Sequence, residues 1–220
     1  MKKNTTLFAR YYESAITKKL IEVSMSDMQE LIADSQNKKV IAKHIYERLY
    51  CRFLKIFDYR SEEMSNYNKN DKTESLYTFN EEFKNGFLQL AACSILIETL
   101  AAYISGNDTT PNGKNKKVFE NVFTYAQEKD NELKVFNNEF YSNIRCGILH
   151  QGETKETFTI TRKKDNPLLD EENKKINAYK FHRSLKKLLK SYQQDLETEA
   201  WDSEIWNNCR TKIWYIIKNS

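Results

Sequence analysis

From Phe87 to Ile104 the chain runs for eighteen residues with a single formal charge, Glu98. That length would cross a bilayer, but a carboxylate near mid-span is costly in lipid. Gln89, Ser94 and Thr99 add further polar groups. The stretch therefore predicts the buried central helix of a bundle, with no membrane span, and the remaining segments must supply apolar faces to cover it. Five Gly and two Pro in 220 residues leave few turn and strand signals, so the expected class is mainly α. The length suits one domain over residues 1–220.

Periodicity along the chain fills in the other layers. Residues 8–33 carry a broken apolar stripe of Leu20, Val23, Met28 and Leu31, read as a helical N-terminal extension over residues 1–35. Residues 37–57 repeat Val40, Ile41, His44, Ile45, Leu49, Phe53 and Ile56 at helical spacing, which makes His44 a core histidine. A polar stretch over Asp58–Tyr77 reads as a loop, and Asn80-Glu-Glu as the capped start of the central helix, which ends at Ser105-Gly106. Thr-Thr-Pro-Asn-Gly lies in a second loop over Asn107–Lys117. A short helix is expected from Val118 and a longer one over Leu133–His150.

The period then switches to alternation at Thr157–Thr161, a short strand, with Ile176-Asn-Ala178 as its hairpin partner across Lys163–Asn173. Phe181, Leu185, Leu188, Leu189, Tyr192 and Leu196 stripe one helix, leaving His182 at its surface edge; Trp201, Ile205, Trp206, Cys209, Ile213 and Ile216 stripe another.

A net charge of +4 from 35 basic and 31 acidic residues permits nucleic-acid contact without pointing to it. Cys51, Cys93, Cys146 and Cys209 show no paired spacing; as reduced thiols, and with no apolar leader at the N-terminus, they fit a cytoplasmic protein. His44, His150 and His182 are too scattered to form a metal site, and no glycine-rich phosphate loop occurs. No cofactor is expected.

The chemistry concentrates in Phe140–Gly152, Phe-Tyr-Ser-Asn-Ile-Arg-Cys-Gly-Ile-Leu-His-Gln-Gly. Phe136, Phe140, Ile144 and Ile148 recur every fourth residue, and Gly152 is the expected stop. Arg145 and His150 sit on that apolar rod near its end. Arginine is a permanent cation that grips phosphate oxygens in pairs, and histidine exchanges a proton near neutral pH. Five residues subtend about 140° of an ideal helix, so their convergence requires the full reach of the arginine or a loosened turn. Cys146 and His150, at i and i+4, share a face, but no oxyanion hole accompanies them for thiol chemistry. Arg162, Lys163 and Lys164 follow the strand, either as a solvated charge run or as a track for a phosphate backbone.

Arg145-Cys-Gly-Ile-Leu-His150 fits the Arg-x4–6-His signature of the HEPN superfamily. The chain most resembles a bacterial and plasmid-borne HEPN family whose motif reads Phe-Tyr-x-Asn-Val-Arg-Cys-Gly-Leu-Leu-His. Asn85–Leu100 and Glu47–Ile56 agree in the same order, so the resemblance covers roughly residues 40 to 198. It implies a HEPN-like helical bundle that pairs as a homodimer. It also implies a metal-independent endoribonuclease acting on RNA, as a toxin with an antitoxin partner or a phage-defence component. Some members bind RNA, nucleotide or protein without cutting. By the same resemblance Arg145 would hold the scissile phosphate and His150 would move the proton. Asn143, seven residues before His150, is expected on the same face, where it would orient the imidazole or contact phosphate. Glu98, a lone acid in an apolar helix, needs a cation, and Arg145 is the candidate. Cys146 stands where many active members carry a polar Asn, Asp or His.

Overall fold

A computed structural model describes residues 6–13, 19–58, 85–107, 115–137 and 140–220. The loop expected over 58–77 and the cap at Asn80 lie almost wholly outside the described residues, as does Thr109–Gly113. Where periodicity predicts an N-terminal helix, the chain instead forms an antiparallel pair, β1 (Leu7–Tyr12) and β2 (Leu20–Ser24), with Ala9 opposite Val23 and Tyr12 opposite Leu20. The stripe misled because Ile21-Glu-Val23 also alternates, and aromatic and β-branched residues pack well on a pleat. Among the described residues of this segment only α1 (Met25–Leu31) is helical, started by a capping box between Ser24 and Asp27. Phe8, Tyr11, Val23 and Met28 are buried in the common core.

Of the two strands, β1 lies on α2 (Lys38–Leu49). Arg48 donates to the Phe8 carbonyl and lies over the Phe8 ring, 4.5 Å from its centroid. His44 is buried as expected, its Nδ1 3.0 Å from the Tyr11 hydroxyl. Past Leu49 the helix widens into a π turn at Tyr50–Leu54 before a last tight turn at Lys55–Phe57.

The long apolar stretch forms α3 (Gly86–Ser105), capped by the Asn85 side chain on the Leu88 N–H at 3.1 Å and closed by Gly106 at φ +65°. It packs against α4 (Asn115–Glu128) and two further helices described below, and Leu90, Cys93, Leu96, Ile97, Leu100 and Tyr103 are fully enclosed. Its burial is that of a core helix.

The single helix expected over Leu133–His150 is divided. A tight turn at Glu132–Val135 ends with Phe136 extended; a π turn follows at Phe140–Arg145, then α5 (Cys146–Gln151), stopped by Gly152 at φ +71°. A strict four-residue recurrence is slightly too long for an α-helix, and the wider i→i+5 turn keeps Phe140, Ile144 and Ile148 on one buried side.

β3 (Thr159–Thr161), β4 (Leu169–Asp170) and β5 (Lys175–Asn177) then form a three-stranded sheet in the order β3-β5-β4. The expected β-hairpin is thereby corrected: β3 pairs with β5 in parallel, and the antiparallel partner of β5 is β4. A two-residue strand carries too little alternation to be seen in sequence.

α6 (Ala178–Thr198) packs on both α2 and α3, burying Phe181, Leu185, Leu188, Leu189, Tyr192 and Leu196. Trp206, Cys209 and Ile213 of α7 (Glu204–Lys218) are core residues against α3. The four cysteines are unpaired.

His182, expected at the surface, is buried, because the π turn of α2 presents the Leu54 carbonyl to its Nε2 at 3.0 Å. Burial holds both His182 and His44 below the ordinary histidine pKa of 6.5, with Lys43 adding to the effect at His44. Both rings are neutral in the fold while the unfolded chain protonates them below about pH 6.5. Their contribution is thus complete above pH 6.5 and declines as the pH falls toward the lowered folded-state values. The thermal midpoint followed by circular dichroism is expected to drop between pH 7 and 5. The drop should be shallower in His44→Gln, whose amide still partners Tyr11; equal slopes would refute the assignment.

Candidate active site

Five phenylalanines seat the motif segment. Phe140 stacks on Phe181 of α6 at 4.7 Å and 6°, and Phe119, Phe123 and Phe136 surround it at 5.3 to 6.0 Å. Each enclosed Phe contributes about 2 kcal/mol of apolar burial, which holds the π turn despite its looser hydrogen bonding. With that side anchored, Arg145 emerges toward α3.

There Arg145 meets Glu98. One carboxylate oxygen of Glu98 accepts from Nε at 2.7 Å and from Nη2 at 2.6 Å. Burial presses against the charge of Arg145, but the Glu98 carboxylate and its hydrogen bonds outweigh it and raise the guanidinium pKa above its ordinary value. The pair is largely shielded, with side chains 11% and 24% exposed. Nη1 of the same guanidinium lies 3.1 Å from Nε2 of His150. A guanidinium has no acceptor, so Nε2 receives this bond and the ring proton sits on Nδ1. His150 itself is exposed. The Tyr141 ring lies beneath Arg145, 5.4 Å from Cζ, and rests on Phe119.

The structure thus brings Glu98, Arg145 and His150 into one continuous contact and leaves Asn143 apart. Asn143 lines a cavity of about 580 Å³ between the motif segment and the small sheet, together with Phe136, Phe140, Ile144, Glu156, Phe158 and Lys174. The π turn changes the angular step, so seven residues no longer return to the same face. Tyr141 was missed in sequence, although its i−4 spacing from Arg145 is the signal for a cation resting on a ring. Among the described residues no three His, Cys, Asp or Glu side chains cluster to hold a metal ion.

Gly147 is the other residue that sequence reasoning passed over. The chain folds back after Gly152 so closely that a Cβ on Gly147 would lie 2.3 Å from the Glu153 carbonyl oxygen. This contact lets the Lys155 N–H reach the Asn143 carbonyl at 2.8 Å. The returning loop carries Glu156 and Thr157 at φ +54° and +62°, unusual for residues with a Cβ and a genuine outlier for a β-branched threonine.

Compared with models of protein families, with characterised proteins and with solved structures, the chain matches none.

Gly147→Ala must displace backbone rather than a flexible side chain, and is expected to cost about 1–3 kcal/mol. It should also abolish hydrogen-exchange protection of the Lys155 amide. Gly152→Ala meets nothing within 4 Å and pays only for its left-handed φ, about 1 kcal/mol, with Lys155 still protected. Equal protection in both variants would contradict the packing role of Gly147.

Proposed function

We propose that the protein is a metal-independent endoribonuclease of HEPN type, which cleaves RNA by attack of the 2′-hydroxyl on the adjacent phosphate. The observation that carries this reading is the direct contact of Arg145 with His150, with Glu98 fixing the guanidinium from behind. Glu98 and His150 engage three of the five N–H bonds of Arg145 and the Cys146 thiol takes up another, which leaves one terminal N–H open to a phosphate oxygen. A phosphate drawn to Arg145 would compete for the guanidinium and release the Nε2 lone pair of His150. That nitrogen then takes the 2′-hydroxyl proton while O2′ bonds to phosphorus. Charge building on the phosphoryl oxygens is met by Arg145. The P–O5′ bond breaks, and a second imidazole, protonated, returns a proton to O5′. The products are a 2′,3′-cyclic phosphate and a 5′-hydroxyl.

The second imidazole is assigned to a second copy of the chain. Phe87, Leu88 and Ile95 form an exposed apolar face on α3, with Leu88 and Ile95 59% and 43% exposed. Ile95 lies one turn before Glu98. A second copy seated on this face would set its own Arg145 and His150 beside the first pair. Toxin or phage-defence work, with an antitoxin or other protein partner, is the setting this chemistry suits.

Purified protein is expected to cut mixed RNA in the presence of EDTA. Arg145→Ala and His150→Ala should each lower the rate at least about 100-fold, and Glu98→Gln, which still offers the guanidinium an acceptor, should retain part of it. Wild-type protein as inert as the two alanine variants would favour a non-catalytic RNA- or nucleotide-binding module. Leu88→Glu/Ile95→Glu should shift the sedimentation mass from dimer to monomer and lose cleavage with it; an unchanged dimer would reject the α3 interface.

A further inference from the structure

The outward face of α6 concentrates charge in a way the whole chain does not. Between Lys180 and Lys190 lie five cations, Lys180, Arg183, Lys186, Lys187 and Lys190, and no carboxylate. The net charge of the entire chain is +4. The stripe extends about 15 Å along the helix. Three acids of neighbouring elements face it: Asp58 holds Lys186, Glu132 meets Lys187 at 3.4 Å and also lies near Arg183, and Glu47 lies near Lys190. Lys180, Arg183 and Lys190 form no ion pair among the described residues. Tyrosine rings lie among these cations. Arg183 is over Tyr179 at 5.7 Å, Lys186 over Tyr50 at 4.7 Å and Lys190 over Tyr46 at 5.3 Å, and the Tyr46 and Tyr50 rings are parallel within 15°.

The stripe continues toward the motif. Asn177, which caps α6, donates to the Lys163 carbonyl at 2.8 Å, so the Arg162-Lys163-Lys164 run abuts the helix start. Arg162 in turn bonds to Gln89 of α3 at 3.1 Å. The chain reaches this run directly from His150 through the returning loop and β3.

We propose that this face of α6, led by Lys163 and Lys164, is a docking track for the sugar-phosphate backbone of single-stranded RNA. The proposal rests on the ribonuclease reading and adds to it a second, non-cleaving contact surface. A row of five cations on a helix segment that carries no carboxylate of its own complements a row of phosphates, and intervening tyrosines suit unpaired bases. A lipid surface fits less well, because membrane-lying helices also present apolar side chains outward, whereas the apolar face of α6 is enclosed in the core.

The test uses the full chain and a 2′-O-methyl oligouridylate, which lacks the attacking hydroxyl and is not cut. Its affinity is measured by fluorescence anisotropy across a salt series. In Arg183→Gln/Lys187→Gln/Lys190→Gln, all at exposed positions, affinity at 0.1 M salt should fall at least tenfold. The slope of log affinity on log salt should fall by about 2, from three lost contacts at about 0.7 each on single strands. Lys19→Gln/Lys39→Gln/Lys218→Gln removes the same charge elsewhere and should bind as wild type. If wild type binds and the α6 variant matches it in affinity and slope, the track is overturned while the cleavage reading stands. Equal losses in both variants reduce the effect to net charge and overturn it too, as does loss of binding to anionic phosphatidylserine vesicles with RNA binding intact. Wild type that binds no RNA removes the reading beneath both. RNA bound through α6 yet never cut keeps the track and ends the ribonuclease reading alone.

Discussion

Much of this structure follows from a single carboxylate in the wrong place. Glu98 is the only formal charge in α3, and a half-buried charge there must be matched by a cation with hydrogen bonds to its lone pairs. Arg145 supplies both, through Nε and Nη2. To reach it, the motif segment must cross α3 with Phe140 and Ile144 turned into the core and Arg145 turned toward Glu98. Once the guanidinium is held from behind, its remaining nitrogen points at His150. The ion pair, the orientation of the segment and the position of the imidazole are one arrangement rather than three.

The two π turns are the devices that make this packing possible. At Phe140–Arg145 the wider turn lets four-residue spacing keep one buried side while Arg145 leaves on another. At Tyr50–Leu54 it presents the Leu54 carbonyl to His182, so a histidine at the margin of the α6 stripe is drawn inside. Gly147 completes the site from the other direction. Without a Cβ there, the loop after Gly152 closes onto the motif helix and walls the cavity that Asn143 faces. The cavity and the Arg145–His150 contact thus occupy different sides of one short segment.

Several parts of the site were legible in the residues themselves. Glu98 called for a cation and Arg145 was the obvious candidate; the distance bears out that pairing. The convergence of Arg145 and His150 needed either a long side chain or a loosened turn, and a π turn ends at Arg145 itself. His44 fell inside an apolar stripe and is a core residue with a tyrosine partner. Asn143 was placed by ideal helical arithmetic, which fails wherever the turn widens. The N-terminal strands were hidden because a short amphipathic strand and a broken helical stripe share residues. The β3–β5 pairing was hidden because parallel register is decided by what lies between the strands, here β4 and its turn.

Sequence alone determined the things that depend on burial and local chemistry. These are a mainly helical chain, a central apolar helix, the faces of α2, α6 and α7, and the identity of the charged pair. Tertiary structure decided what depends on direction: which way each side chain leaves its turn, which strand meets which, and which histidine is enclosed. The physical reason is that apolar burial is set by composition and period, whereas a hydrogen bond needs a partner at about 3 Å and a defined angle. Only the assembled chain supplies that partner.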